Sequence, residues 1–178
     1  MPSKTQSILI GGLIAAVTGT IVSVAAQVSG ASDPTNPQQV LSLIFGLIGC
    51  MVMLTSGLVA VWHYATENEL TLTGGQGVGI GALAGIVYAV VGLALGWLLI
   101  LLGVLPSPQD TLDAVRDTGA FDAAGGEQAE SITGMMITWG GPVMAVFGGV
   151  LLGLIGGAIG AALFKRGVES PDEGSTIM

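Results

Sequence analysis

The sequence predicts an all-α protein, a four-helix transmembrane bundle with glycine-rich helix packing. Half of the residues are hydrophobic and 9% are charged, whereas soluble domains usually carry about 25% charged residues. The charges are also segregated, because four long intervals contain no Asp, Glu, Lys, Arg or His: residues 5–32, 34–62, 70–109 and 131–164. Each interval exceeds the ~20 apolar residues that a spanning helix needs. We therefore expect four membrane spans.

Helix one is predicted over about 6–29. Lys4, the apolar run and the small residues Ser29 and Ala31 also resemble a secretory signal that is cleaved before Ser32. The apolar run is longer than the usual 7–15-residue core of such signals, so we expect a membrane helix.

Helix two is predicted over about 38–64, because prolines at 34 and 37 end the first helix and can open the second. Trp62 and Tyr64 suit the headgroup level at its end. His63 lies between these rings without a partner at ligand spacing. Cys50 is the single cysteine, so no disulfide within the chain can form. We expect Cys50 to be a small buried hydrophobe and His63 to have no ligand or proton-relay role, and we predict no metal site.

Helix three is predicted over about 77–104, where the sequence LPSPQD stops it. The connection 106–133 is acidic and is predicted to lie outside the membrane. Within it, Asp110 is expected to cap a short helix that Gly119 ends.

Helix four is predicted over about 142–164, because proline is tolerated in a first helical turn. A bend is expected at Gly140 and Gly141. Residues 1–166 then form one transmembrane domain, and residues 167–178 form a flexible polar tail.

Four positive charges predict the orientation. Lys4 precedes helix one, and Lys165 and Arg166 follow helix four, so three of them lie at the end that holds both termini. Positive residues favour the cytoplasmic side. We expect a multi-pass protein of the cell membrane with both termini in the cytoplasm, and with the connection 106–133 outside.

Small residues recur every fourth position on the predicted helices, in the manner of a glycine zipper. In hydrocarbon, helices associate through close packing, which small residues permit. Such stripes either pack the helices of one chain together or contact another chain. Helix two has the weakest stripe, formed by Ser42, Gly46 and Cys50. We predict nine helix-packing residues: Gly11, Gly19, Gly77, Gly81, Gly85, Gly141, Gly149, Gly153 and Gly157.

Four segments carry a resemblance to a known group: IGGLIAAVTG, GLVAVWHY, LTLTGGQGVGIGALAG and GGAIGAALFKR. Together they resemble small, uncharacterised prokaryotic integral membrane proteins that are rich in glycine. The resemblance covers most of the membrane portion and implies a four-helix membrane fold without an assigned activity.

The polar residues of the predicted spans are uncharged near neutral pH, whereas pumps and coupled transporters place ionisable groups there. No HExxH or GxSxG motif is present, and GGQGVG lacks the Lys-Ser/Thr of a phosphate loop. We predict a non-enzymatic protein without a cofactor that acts through helix packing, as a homo-oligomer or an accessory subunit. Its partners are the lipid bilayer and other membrane subunits or itself. The net charge of −8 argues against nucleic acid. The alternative is a small channel or transporter for a neutral solute.

Overall fold

The computed structural model of the chain describes residues 3–32, 39–121, 126–164 and 168–169. These residues are helical apart from turns and two short strands. In chain order the elements are α1 (Lys4–Val28), α2 (Gln39–Glu67), β1 (Leu70–Thr71), α3 (Gly74–Leu101), α4 (Pro108–Asp117), α5 (Glu127–Met135), a π-helical segment (Met136–Gly140), α6 (Gly141–Leu163) and β2 (Val168–Glu169). Four helices are long and apolar enough to cross a membrane: α1, α2, α3 and the continuous helix Glu127–Leu163.

Helix α3 begins at Gly74, three residues before the predicted start. The Thr73 side chain accepts a hydrogen bond from the Gln76 backbone N–H, and the Gln76 side chain accepts one from the Thr73 backbone N–H. This reciprocal capping box satisfies two N–H groups that the helix itself leaves unpaired. Gly74 and Gly75, which precede the predicted start at residue 77, therefore belong to the first turn of α3.

The last spanning helix begins far earlier than the predicted residue 142. It starts at Glu127, passes through the π-helical segment, and continues as α6, so that it contains 37 residues. Pro142 lies in the first turn of α6. Its ring would crowd the carbonyl of Thr138 in a regular α-helix, and the wider π turn relieves that crowding. The expected bend at Gly140 and Gly141 is thus a change of helix type.

The predicted external connection holds α4 and α5. Ser107, not Asp110, is the N-cap residue of α4, and the Asp110 carboxylate accepts from the Ser107 backbone N–H at 2.8 Å. Gly119 follows the helix with a φ of 71°, as expected for a residue that ends it. Arg116 forms ion pairs with Asp113 and with Glu130, so it joins α4 to α5.

The spanning helices differ between their two halves. Nearly all buried residues lie in what we call the tight half, formed by residues 4–16, 52–67, 74–89 and 149–163. The open half comprises residues 17–28, 39–51, 90–101 and 141–148. The most extensive contacts join α3 to α6, followed by α1 to α2 and α2 to α6. The core is built largely from Ala and Gly, so the helices approach closely at one end.

Strand β2 lies within the predicted flexible tail. Its backbone pairs in parallel with β1, with Leu70 opposite Val168 and Thr71 opposite Glu169. This pairing joins the chain beyond α6 to the connection between α2 and α3. The predicted turn at 33–37, the basic pair at 165–166 and the tail beyond 169 lie outside the described residues.

Candidate functional site

The α3–α6 contact brings six of the nine predicted glycines together. A methyl group built at Cβ of Gly77 would lie 2.5 Å from both the Ala161 Cβ and the Gly157 carbonyl oxygen. The same construction at Gly81 collides with the Gly153 carbonyl oxygen, and at Gly85 with that of Gly149. Real Cβ atoms do not approach backbone this closely, so α3 and α6 touch main chain to main chain. We call this contact the α3–α6 seam.

The neighbouring helix α2 reaches the other side of α6. Gly57 has no room for a Cβ, because the Gly153 carbonyl oxygen occupies that space and the Gly157 nitrogen would lie 2.7 Å away. Gly156 contacts the backbone of α2 at Leu54 in the same way. Gly153 and Gly157 are therefore enclosed between α2 and α3, and three helices meet at their backbones.

Helix α1 packs through two adjacent glycines. A Cβ at Gly11 would lie 2.5 Å from the Ser56 carbonyl oxygen, and one at Gly12 would lie 2.5 Å from Cγ1 of Val87. Gly11 therefore faces α2 while Gly12 faces α3. Gly19 lies further along, where its Cβ would be 3.3 Å from the Tyr88 hydroxyl. The approach at Gly19 is looser than at the other two positions.

Gly141 is the predicted packing residue that lies apart from the rest. Apart from its own turn of helix, no heavy atom of the described residues comes within 4 Å of its Cβ position. The helix-two stripe is also open, since the Cβ position of Gly46 borders open space. Cys50 is exposed, so the prediction that it is buried is wrong; the helices diverge in this half and leave its side chain uncovered. The face of α2 that packs lies instead in its second half, at Ser56, Gly57 and Ala60.

Sequence reasoning missed Gly12 and Gly57 as packing positions. Both sit beside another small residue, in the stretches IGGLI and TSGLVA. A search for small residues at adjacent positions, and not only every fourth position, would find them. Adjacent small residues present two faces of a helix, which suits α1 and α2 because α1 contacts two other long helices and α2 contacts three.

A cavity occupies the open half between α1, α2 and α3. Its larger part measures about 490 Å³ and is bordered by Gln27, Phe45 and Leu105. A second part of about 270 Å³ lies next to Leu93 and Gly96. Both parts share Gly19, Ser23, Met53, Tyr88 and Leu105. The walls are mostly apolar with a few polar groups, which is the usual composition of a site for a small molecule.

The polar groups of this cavity differ in whether they already have partners. The Ser23 hydroxyl donates to the Gly19 carbonyl, and the Thr20 hydroxyl donates to the Ala16 carbonyl. The Tyr88 hydroxyl and the Gln27 side-chain amide have no hydrogen-bond partner among the described residues. Ser32 also borders the cavity but is exposed, so Tyr88 and Gln27 are the half-buried groups that are available to a ligand.

His63 forms a side-chain hydrogen bond that joins two spanning helices. Its Nδ1 lies 2.9 Å from the Ser7 Oγ on α1. Ser7 is only 3% exposed, so a substrate has no access to its hydroxyl. This pair ties α1 to α2 and has the environment of a structural contact.

Electrostatic effects are concentrated in the predicted external connection. Hydrogen bonds from the Ser107 side chain and backbone hold the pKa of the Asp110 carboxyl below its usual value. The hydrogen bond with Glu130, followed by the charge of Glu130, raises the pKa of the Arg116 guanidinium. Among the described residues, no group of three or more His, Cys, Asp or Glu side chains could hold a metal ion.

The continuous helix Glu127–Leu163 exposes a surface of large apolar side chains around Gly140 and Gly141. We call it the methionine–aromatic face, and its large members are all exposed: Met135, Met136, Trp139, Val143, Met144 and Phe147. The Gly140 Cβ position meets only the Cβ of Met136, at 3.9 Å. Gly140 and Gly141 thus interrupt a run of bulky exposed residues along the helix.

Comparisons of the chain with protein-family models, with curated proteins and with solved structures found no match. The resemblance to small, glycine-rich prokaryotic membrane proteins therefore stays a prediction.

Proposed function

We propose that the chain is a non-enzymatic, multi-pass membrane protein that acts through helix packing, as a homo-oligomer or as an accessory subunit of a larger membrane complex. Four helices that are long and apolar enough to span a bilayer support this proposal. The positive residues Lys4, Lys165 and Arg166 favour a cytoplasmic location for both termini. In that orientation the tight half lies towards the cytoplasm, and the open half lies towards the outside.

Glycine contacts hold the four spans as a bundle in this proposal. Lipid supplies no hydrophobic force between helices, so their association depends on close packing. The backbone approach of Gly57 and Gly81 to Gly153 supports this arrangement. These contacts lie within one chain, so the tight half needs no partner to complete it. The same contacts leave no room for a solute between α2, α3 and α6, which favours helix packing over conduction by a single chain.

The observation that carries assembly with another chain is the open position of Gly141 on the methionine–aromatic face. Exposed apolar side chains alone fit contact with lipid. The open Cβ position of Gly141 beside these side chains is different, because it lets a second helix approach the backbone. The flanking methionines adapt their shape to a partner. Of the predicted packing glycines, Gly141 is therefore the one that we assign to a partner.

Substitution of Gly141 tests this proposal. We expect Gly141→Leu to reduce the mass of the complex that mild detergent extracts from native membranes, because the added side chain blocks the approach of a partner helix. Gly79→Leu is the matched control, since Gly79 on α3 also has no atom within 4 Å of its Cβ position. The mass of the intact complex is the measurement. A wild-type chain that is extracted as a monomer would overturn the proposal.

A further inference from the structure

We propose that the cavity of the open half binds an elongated, uncharged amphiphile with a hydrogen-bonding group at each end. One end meets the Tyr88 hydroxyl and the other meets the Gln27 amide. This inference goes beyond helix packing, because it assigns a ligand to a single chain.

The lack of charge on the ligand follows from the residues around the cavity. None of the described residues that line either part is Asp, Glu, Lys, Arg or His. An ion in such surroundings would lose its hydration without gaining a partner of opposite charge. The apolar side chains of Met53, Leu93 and Ile100 instead suit a hydrocarbon body.

The length of the ligand follows from the positions of the two available polar groups. The Tyr88 hydroxyl lies beside Gly19, and Gln27 is further along the same helix α1. Eight residues of α-helix correspond to about 12 Å. A molecule whose polar ends are roughly 12 Å apart can therefore contact both groups. Tyr88 and Gln27 are both half-buried, so such a ligand can form a hydrogen bond with each of them inside the cavity.

The cavity is closed at the end that adjoins the tight half. Ala16 and Ala89 line the cavity and are 0% and 1% exposed. Beyond them α1 packs against α2 at Gly11 and against α3 at Gly12. Ala31 and Pro106 border the opposite end. A ligand therefore reaches no further than Tyr88 towards the tight half, so the cavity is a binding site and not a passage.

The probe for this site is 1,8-octanediol, which carries an uncharged hydroxyl at each end of an apolar chain. We expect saturable binding of one diol per chain, measured by equilibrium dialysis of the radiolabelled diol against the protein in lipid nanodiscs. Empty nanodiscs correct for partitioning into lipid. Tyr88→Phe should weaken binding by about three- to tenfold, the usual effect of one hydrogen bond. 1-Octanol should bind more weakly by a similar factor, and the suberate dianion should not bind.

Filling the cavity provides a second and independent test. Gly96 lines it and has open space at its Cβ position, so a side chain added there can extend into the cavity. We expect Gly96→Leu to abolish diol binding and Gly79→Leu to preserve it. Unchanged binding in Gly96→Leu, or equal affinity for diol and 1-octanol, would overturn the proposal. So would crosslinking of Ser23→Cys, in a Cys50→Ala background, to a helix of another protein, because a polypeptide would then occupy the cavity.

Discussion

At the scale of the residue, Gly153 is the position where a single methyl group should cost the most. Gly153 faces the Gly81 carbonyl oxygen on α3, and its own carbonyl oxygen fills the space beside Gly57 on α2. We expect Gly153→Ala to lower the free energy of unfolding by about 1–3 kcal/mol, the usual cost of overpacking. Unfolding in mixed micelles with increasing SDS, followed by tryptophan fluorescence, measures this change.

Gly79→Ala is the control for this prediction. Its Cβ position is open, so alanine should preserve stability or raise it by up to about 1 kcal/mol through its better helix propensity. Equal effects of the two substitutions would contradict backbone contact at Gly153.

The spacing of small residues indicated which face of α3 and of α6 packs, because residues four apart lie on one side of a helix. It could not indicate the partner of each glycine. Gly81 meets Gly153 only because α3 and α6 are adjacent and antiparallel, and no local signal in the sequence encodes that adjacency. Gly57 was missed for a related reason: its neighbours in the stripe, Val61 and Ala65, are not glycines.

At the scale of the element, the capping box of α4 should make this helix sensitive to acid. The pKa of Asp110 is lower in the folded chain than its ordinary value of 3.8, chiefly because the Ser107 side chain donates a hydrogen bond to its carboxylate. The stabilisation is therefore complete above about pH 4 and is lost as the pH falls through the lowered pKa. The loss is measured as the fall in the protection factors for amide hydrogen exchange of residues 108–117 between pH 5 and 2. Protection factors correct for the pH dependence of exchange in an unfolded chain.

Ser107→Ala provides the matched comparison for α4. Removing an N-cap side chain costs about 1 kcal/mol of helix stability, so exchange in α4 should quicken even at neutral pH. The protection factors of α3, whose capping box uses the uncharged pair Thr73 and Gln76, should not change over the same pH range. Equal acid sensitivity of both helices would contradict the role of Asp110.

The sequence predicted that a helix exists in this connection, but it assigned the cap to Asp110. The motif SPQD contains two residues able to cap, and the choice depends on where Pro108 begins the helix. The π-helical segment could not be predicted, because proline after two glycines permits a break, a kink or a wider turn. Packing of α4 against α5, just before this segment, with Leu112 Cδ2 3.5 Å from the Gly134 Cβ position, is a tertiary contact that local sequence does not encode.

At the scale of the whole molecule, the orientation of the spans can be tested with thiol reagents. In a Cys50→Ala background, Thr118→Cys on the predicted external connection should react in intact cells with a membrane-impermeant maleimide. Ser3→Cys, at the opposite end of the spans, should react only after lysis, because three of four positive charges favour the cytoplasm for that end. The reverse pattern of labelling would contradict the predicted orientation.

The number and order of the spans were predictable because hydropathy depends on composition alone. The difference between the tight and open halves was not. Glycines continue into the open half at Gly46 and Gly49 of α2 and at Gly92 and Gly96 of α3, yet nothing lies within 4 Å of their Cβ positions. The helices diverge there, so the same kind of residue borders open space instead of forming a contact. Spacing along one helix carries no information about the distance to the next.

The backbone contact among Gly57, Gly81 and Gly153 also limits how this chain can change over generations. Bulky core residues can be exchanged in compensating pairs, with one becoming smaller as its neighbour becomes larger. No amino acid is smaller than glycine, so a gain in size at any of these three positions has no compensating exchange nearby. Exposed residues such as Leu83 and Ile86 are not enclosed in this way, whereas any larger side chain at the junction of these three glycines meets backbone atoms.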